Sequence, residues 1–269
     1  MLLAIDVGNT NVTIGVYDGE ELRATWRIAT DPARLADEYA VFIDSLFLLD
    51  GISNSSISAA VFASVVPPLS SVFEDVLRRH FDVVPLRVGA GVKTGLRILY
   101  EDPREVGADR IVDAVAALRL HKPPLIVVDV GTATVFDAIS RDGDYLGGAI
   151  APGIGVAADA LAQKAAMLRR IDLRPPRTAV GTNTTAAMQS GIIFGYLELI
   201  EGMVRRFKAE IGEDAWVVAT GGFAQLLSQH TRSFDHVDPN LTLNGLRLVY
   251  EMNTPATPSQ PVADVGTGA

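Results

Sequence analysis

LLAIDVGNTNVTIGVYDGE at residues 2–20 and LIVVDVGTATVFDAISRDGD at residues 125–144 decide the fold. Each begins as a continuous apolar run suited to a buried strand, reaches Asp-Val-Gly, and turns at small polar residues. Each then returns as a second apolar strand and closes on Asp-Gly, with Asp6 and Asp129 in matching places. One supersecondary unit written twice predicts a chain of two related halves. In the first copy Val12, Ile14 and Val16 alternate with smaller or polar residues and Asp18-Gly19 supplies a hairpin turn. Leu22, Ala24, Trp26 and Ile28 then predict the third strand of an antiparallel meander.

Outward from the first copy, Asp31-Pro32 predicts a helix N-cap and first turn, with Leu35, Tyr39, Phe42, Ile43 and Leu46 on one face of that helix. A strand near 57–63, a helix after Pro67-Pro68 and a strand at 83–86 continue an α/β alternation. The helix that starts after Pro103 is stopped by Pro123-Pro124, which sets the expected division at 1–122 and 123–253. Beyond the second copy come a Gly-rich stretch at 147–155, a helix over about 184–210 and the strand WVVAT, which runs into Gly221-Gly222 and a further helix. Residues 254–269, rich in Pro, Thr, Gly and Ala, predict a disordered tail.

With 269 residues, 48% of them hydrophobic, the chain can bury a substantial core. A formal charge of -9 without a dense basic run argues against nucleic-acid binding, which rests on clustered Lys and Arg. The absence of cysteine excludes disulfides, thiolate catalysis and Cys-built zinc sites. His80, His121, His230 and His236 fit no metal-ligand spacing and are read as solvated or capping. The start lacks a secretory n-region and h-region, because Asp6 interrupts the apolar run, so cytoplasmic residence is expected. No apolar window is long enough for a membrane span.

The turns carry the chemistry. Gly8 lets the backbone approach a ligand, tight turns expose N–H groups that cradle phosphate oxygens, and Asn9, Thr10 and Asn11 add side-chain donors. Asp6 at the strand end can hold a hydrated Mg²⁺ that bridges phosphates, or it can cap an Asx-turn; Asp129, in the matching place of the repeat, can likewise cap its turn. With Thr220-Gly221-Gly222 as a third turn, two facing copies describe a cleft that grips a nucleotide from both sides, and no GxxxxGK[ST] P-loop occurs. In EDPREVGADRIVDA at 101–114, Val106, Ile111, Val115 and Leu118 lie on or near a buried helix face, leaving Asp109 and Arg110 near its first turns. Those two are either site groups or members of a solvated helix in which Arg110 pairs with a neighbouring acid and Asp109 repels Asp113.

The paired DVGNT and DVGTAT elements with the later ATGG resemble the phosphate and adenosine motifs of the acetate-kinase, sugar-kinase, heat-shock-ATPase and actin superfamily. More narrowly, residues 2 to about 253 resemble type III pantothenate kinases. The stretches that carry this are DVGNTN at 6–11, GADR at 107–110, DVGTAT at 129–134, GGAIAPG at 147–153, GTNTTAAMQSG at 181–191 and LTLNGL at 241–246. The resemblance implies an α/β fold of two actin-like (ribonuclease H-like) halves, with mixed sheets flanked by helices and a nucleotide cleft between them. It implies transfer of the γ-phosphate of ATP to pantothenate, giving 4'-phosphopantothenate at the first step towards coenzyme A. ATP would be held by Asp6, Val7, Gly8, Asn9, Thr10, Asn11, Val12 and Thr13 and by Thr132, with Asp6 near Mg²⁺ through water and Asp129 on K⁺ or NH₄⁺. Pantothenate would be held by Tyr100, Gly107, Ala108, Asp109, Arg110 and Thr184, with Asp109 as general base and Arg110 on the carboxylate. Thr184 could also cap the long helix.

The family forms homodimers whose substrate pocket is completed across the interface, and the helix bearing Ile192, Ile193, Phe194 and Leu197 is a candidate contact. QKAAMLRRIDLRPPR at 163–177 is more basic than the family's usual run there. Two other readings are a nucleotide-binding regulatory relative of the same fold and a kinase for another small hydroxy acid. The joint presence of Tyr100, Asp109, Arg110, Asp129 and Thr184 favours the enzyme over the regulator.

Overall fold

A computed structural model describes residues 1–254. The first copy folds as β1 (Leu2–Val7) and β2 (Asn11–Asp18), paired antiparallel, with β3 (Glu21–Ala29) completing the meander. On the other side of β1, β4 (Ala59–Ser64) runs parallel to it and β5 (Leu86–Arg87) parallel to β4, giving the order β3-β2-β1-β4-β5. The second copy repeats this: β6 (Leu125–Val130), β7 (Ala133–Ile139) and β8 (Tyr145–Pro152) form the meander, and β9 (Trp216–Thr220) and β10 (His236–Val237) extend it, in the order β10-β9-β6-β7-β8.

Alternation along the buried strands sorts side chains to two faces of each sheet. In the first sheet, Leu3, Ile5, Ile14 and Val16 pack on α1 (Ala36–Leu49) and α2 (Pro67–Asp75). Ala4, Tyr17 and Val61 on its other face meet Val112 and Val115 of α3 (Ala108–Leu120), with Leu243, Leu246 and Val249 of α7 (Leu241–Asn253). The opposite side of α3 places Ala114 and Ala117 against Leu125, Val127 and Ile139 of the second sheet. That sheet's outer face buries Ile126, Val128 and Phe136 under α5 (Thr184–Ile211), flanked by α4 (Ile154–Lys164) and α6 (Ala224–Ser228). Thus α3 is held between the two sheets, and the cleft opens at its N-terminus. Gly245 permits α7 to cross α3 closely, since a Cβ there would lie 2.0 Å from the Val112 carbonyl oxygen.

Several expectations shift. The first helix begins at Ala36 rather than at Asp31-Pro32, because Glu38 accepts the Leu35 N–H at 2.8 Å and caps there, while Asp31 closes only a local turn on Ala33. Its buried face is Tyr39, Ala40, Ile43 and Phe47, while Leu35 and Phe42 are exposed and Phe42 lies under the Arg34 guanidinium. A bulge at Val16/Tyr17 moves Leu22 off the face of Trp26 and Ile28 and into the α7 cluster. The strand expected at 83–86 is Leu86–Arg87, and Pro103 opens a single 3₁₀ turn, Pro103–Glu105, with α3 starting at Ala108 after the extended Val106. Asn183, not Thr184, caps α5 by accepting the Ala186 N–H at 2.9 Å. Ile192, Ile193 and Leu197 belong to the second core. Among the described residues no helix is long and apolar enough to cross a membrane. The tail expected at 254–269 lies outside the described residues after Thr254.

Candidate active site

The two Asp-Val-Gly turns face each other and differ by one residue. In the first, Val7 pairs with Val12 and Gly8 N–H donates to Asn11 O at 3.1 Å. In the second, Val130 pairs with Thr134 and Gly131 N–H donates to Ala133 O at 2.9 Å. Counted back from those pairs, Thr132 is the partner in kind of Thr10. The two hydroxyls meet across the cleft at 2.7 Å, joining the lobes at their turns. Asn9, Thr10, Asn11 and Thr132 are exposed at the mouth, Val7 and Val12 are buried in the first core, and Thr13 stands beside Asp6 in the strand register. The third turn backs directly onto Asp129: Gly221 has φ +92, and a Cβ there would lie 2.2 Å from Asp129 Oδ1.

Carboxylates from three elements converge behind the turns. Asp6 comes from the end of β1, Asp129 from the end of β6, and Asp109 and Asp113 from the first turns of α3. Burial pushes Asp6 up to about 8, with the charges of Asp109 and Asp129 adding to it. Burial likewise pushes Asp129 up to about 7, helped by Asp109 and Asp137 and opposed by Arg27. Asp113, with its Oδ1 unpartnered, is raised by burial and by Asp129. Asp109 is raised by burial too, against the pull of the Arg110 N–H, which donates to its Oδ1 at 2.8 Å, and of the Arg110 charge. Like charges in a shielded site hold protons until a cation joins them.

The donor set fits a hard cation. Every group that converges is an oxygen donor, and Asp6 Oδ1 is shielded without a hydrogen-bond partner, an orphan that a cation or its water would satisfy. Among the described residues no three acidic or imidazole groups form a tight ligand cluster.

The residues expected on the substrate side form a separate buried network. Arg110 donates Nε at 3.0 Å and Nη2 at 2.6 Å to Asp137 Oδ1, which also accepts the Tyr145 hydroxyl at 2.6 Å. Burial alone would lower the Arg110 pKa, but the Asp137 bonds and charge outweigh it, and the guanidinium stays charged. Arg110 therefore does pair with an acid, one contributed by β7 rather than by its own helix. Two glycines of β8 make the room: a Cβ on Gly148 would meet Arg110 Nη2 at 2.9 Å, and one on Gly147 would meet the Tyr100 ring at 3.3 Å. Gly107, as N-cap of α3, lets the Asp109 carboxylate fold back over the helix start, where a Cβ would lie 2.4 Å from its Oδ1. Ala108 is the first residue of α3. Thr184 is elsewhere within one chain. It is exposed at the start of α5, on a groove of about 760 Å³ that also includes Leu161, Gly181, Gly191 and Tyr196 and shares no residue with the Arg110 network.

Sequence reading missed Asp137 and Tyr145, which complete that network, and Arg27, which faces Asp129. Asp137 left a signal, a carboxylate inside the apolar strand of the second copy. The one-residue shortening of the second turn sets it at the place Gly15 occupies in the first copy, on the face toward α3.

Two solved structures share the architecture. Component A of (R)-2-hydroxyglutaryl-CoA dehydratase from Acidaminococcus fermentans aligns over 93% of this chain and 96% of its own, with TM-score 0.53 and 16% identity. The ethanolamine utilization protein EutJ from Carboxydothermus hydrogenoformans aligns over 92% and 89%, with TM-score 0.54 and 15% identity. At such identities the likeness is one of fold, and the class it defines is the two-lobed, actin-like α/β fold. The profile of the family described as Type III pantothenate kinase matches residues 2–206. Proteins of that name from Moorella thermoacetica and from Anaeromyxobacter sp. strain K are 53% and 51% identical, each over 94% of this chain and 100% of their own length. The chain belongs to the type III pantothenate kinase family.

Proposed function

We propose that the cleft phosphorylates pantothenate with Asp109 as general base and Arg110 as the carboxylate anchor. As a member of its family the chain is an ATP-dependent pantothenate kinase that works with a divalent metal. The observation that carries the residue assignment is the meeting, at the N-terminus of α3, of Asp109 with strand-end carboxylates from both lobes, beside the fixed Arg110. In the reaction the primary hydroxyl oxygen of pantothenate bonds to the γ-phosphorus, the bond from that phosphorus to the bridging oxygen breaks, ADP leaves, and the hydroxyl proton passes to Asp109. A loose transition state needs Asp109 chiefly to orient the hydroxyl and accept its proton late, so a strongly basic carboxylate is unnecessary. Arg110, braced by Asp137, presents its remaining N–H groups to the substrate carboxylate while Tyr100 walls the pocket.

Asp6 is assigned to hydrated Mg²⁺, which supplies charge neutralisation at the phosphates, and Asp129 to K⁺ or NH₄⁺, with residues 6–13 and Thr132 on the phosphates. We assign the outer groove of α5 to a second copy of the chain, which brings Thr184 to the partner's pocket. The support is that Thr184 and the Arg110 network are disjoint in one chain, while exposed Leu161, Met167 and Val180 lie on or beside the groove.

The test is ADP release from ATP, Mg²⁺ and pantothenate, in K⁺ and in Na⁺, for wild type and Asp109→Asn. Expected are pantothenate-dependent turnover that needs K⁺ and a loss of about 10²–10⁴-fold in kcat for the variant with nucleotide binding retained. Nucleotide binding without turnover would favour a regulatory protein, and turnover only with another hydroxy acid would move the substrate.

A further inference from the structure

The strand register places one more charged group on the cleft. Asp6 of β1 pairs with Thr13 of β2, and Thr13 pairs with Arg27 of β3. Residues paired across adjacent strands project from the same face of the sheet, so Asp6, Thr13 and Arg27 form one row that ends at the sheet edge. Trp26 and Ile28, on either side of Arg27, pack on the opposite face against α1. From this edge the Arg27 side chain reaches the other lobe: its Nη1 lies 3.8 Å from the position a Cβ on Gly222 would occupy. Its charge is also felt at Asp129, where it opposes the rise caused by burial.

Among the described residues Arg27 takes part in no ion pair within 4.0 Å, and the residue is exposed. Arg110, the other arginine of the cleft, is committed to Asp137. An unneutralised guanidinium that bridges the two lobes beside the glycine turns is placed for an anion lying across those turns. We propose that Arg27 binds the terminal phosphates of ATP and holds the charge of the phosphoryl group during transfer. Its planar fork can contact two phosphate oxygens at once, and in a loose transition state charge on the equatorial oxygens is what such a group stabilises. Because β3 belongs to one lobe and the Gly221-Gly222 turn to the other, the same contact registers that both lobes have closed on a triphosphate.

The proposal rests on the kinase reading, and its test separates the two. Arg27→Gln and Arg27→Lys are compared with wild type by calorimetric binding of Mg²⁺-ATP, Mg²⁺-ADP and AMP, and by steady-state kinetics with both substrates. Expected for Arg27→Gln are a fall in kcat of about 100-fold or more, ATP affinity weakened about 10-fold, AMP affinity and the KM for pantothenate unchanged within about twofold, and an unchanged melting temperature. Arg27→Lys should regain ATP affinity but little of kcat, since a point charge replaces the fork. Unchanged ATP affinity and kcat in Arg27→Gln would overturn the proposal, and so would a parallel loss of AMP affinity, which would put Arg27 at the adenosine end. Absence of pantothenate turnover in wild type would sink the kinase reading alone, because the ATP-against-AMP comparison needs no acceptor.

Discussion

Asp137 shows how one buried carboxylate sets the chemistry of another residue. It accepts from Arg110 and from Tyr145 on a single oxygen, and its side chain is 4% exposed against 10% for Arg110. A pair so shielded adds little net stability as a pair, yet removing one partner strands a buried charge at a cost of about 3–5 kcal/mol. Asp137→Ala should therefore lower stability by about that amount in urea unfolding and raise the KM for pantothenate while leaving nucleotide affinity intact. Simultaneous Arg110→Met should recover much of the stability without recovering the KM, and if the double variant unfolds as readily as the single one, the stranded-charge account is wrong.

At the scale of elements, α5 presents two faces with different work. Ile193, Leu197 and Ile200 are buried on the second sheet, whereas Gly191 is exposed on the outer groove, where an added Cβ would meet nothing within 4 Å. Gly191→Glu should thus leave the fold intact, convert a dimer to a monomer in sedimentation velocity, and lower kcat/KM for pantothenate far more than for ATP. A wild-type monomer would remove the proposed interface. The same helix marks what a sequence can disclose. Its extent was legible from apolar periodicity and flanking turns, but periodicity finds an apolar stripe without saying which protein surface covers it. The duplicated meander and its strand-end acids were legible because strand, turn and strand each leave local signals. The one-residue difference between the turns was not, because DVGNTN and DVGTAT align without a gap in sequence and only the ladder shows Val7 opposite Val12 but Val130 opposite Thr134. Hence Asp137 and the cross-cleft bond of Thr10 to Thr132 were hidden, as was Arg27, whose reach depends on how two distant sheets face each other.

For the molecule as a whole, the converging acids couple folding to proton binding. In the folded, ligand-free chain burial raises Asp6 to about 8 and Asp129 to about 7, and Asp109 and Asp113 are raised with them, all from an ordinary value of 3.8. Between pH 3.8 and those raised values the unfolded chain has released protons that the folded chain still holds. The sign follows: fewer protons bound when unfolded means that stability falls as pH rises, by at most about 1.4 kcal/mol per pH unit for each proton. The contribution of these groups is fully present below the unfolded value and is lost as pH climbs through the folded ones. Differential scanning calorimetry of the ligand-free protein should therefore show a melting temperature that declines from pH 5 to 8. Asp6→Asn should flatten the decline and melt higher than wild type at pH 8. If the cleft acids hold cations as proposed, Mg²⁺-ATP should bind with proton release and with an affinity that rises over the same interval. If wild type and Asp6→Asn decline in parallel, Asp6 is already ionised in the ligand-free fold, and the cleft would then need some other cation in place before nucleotide arrives.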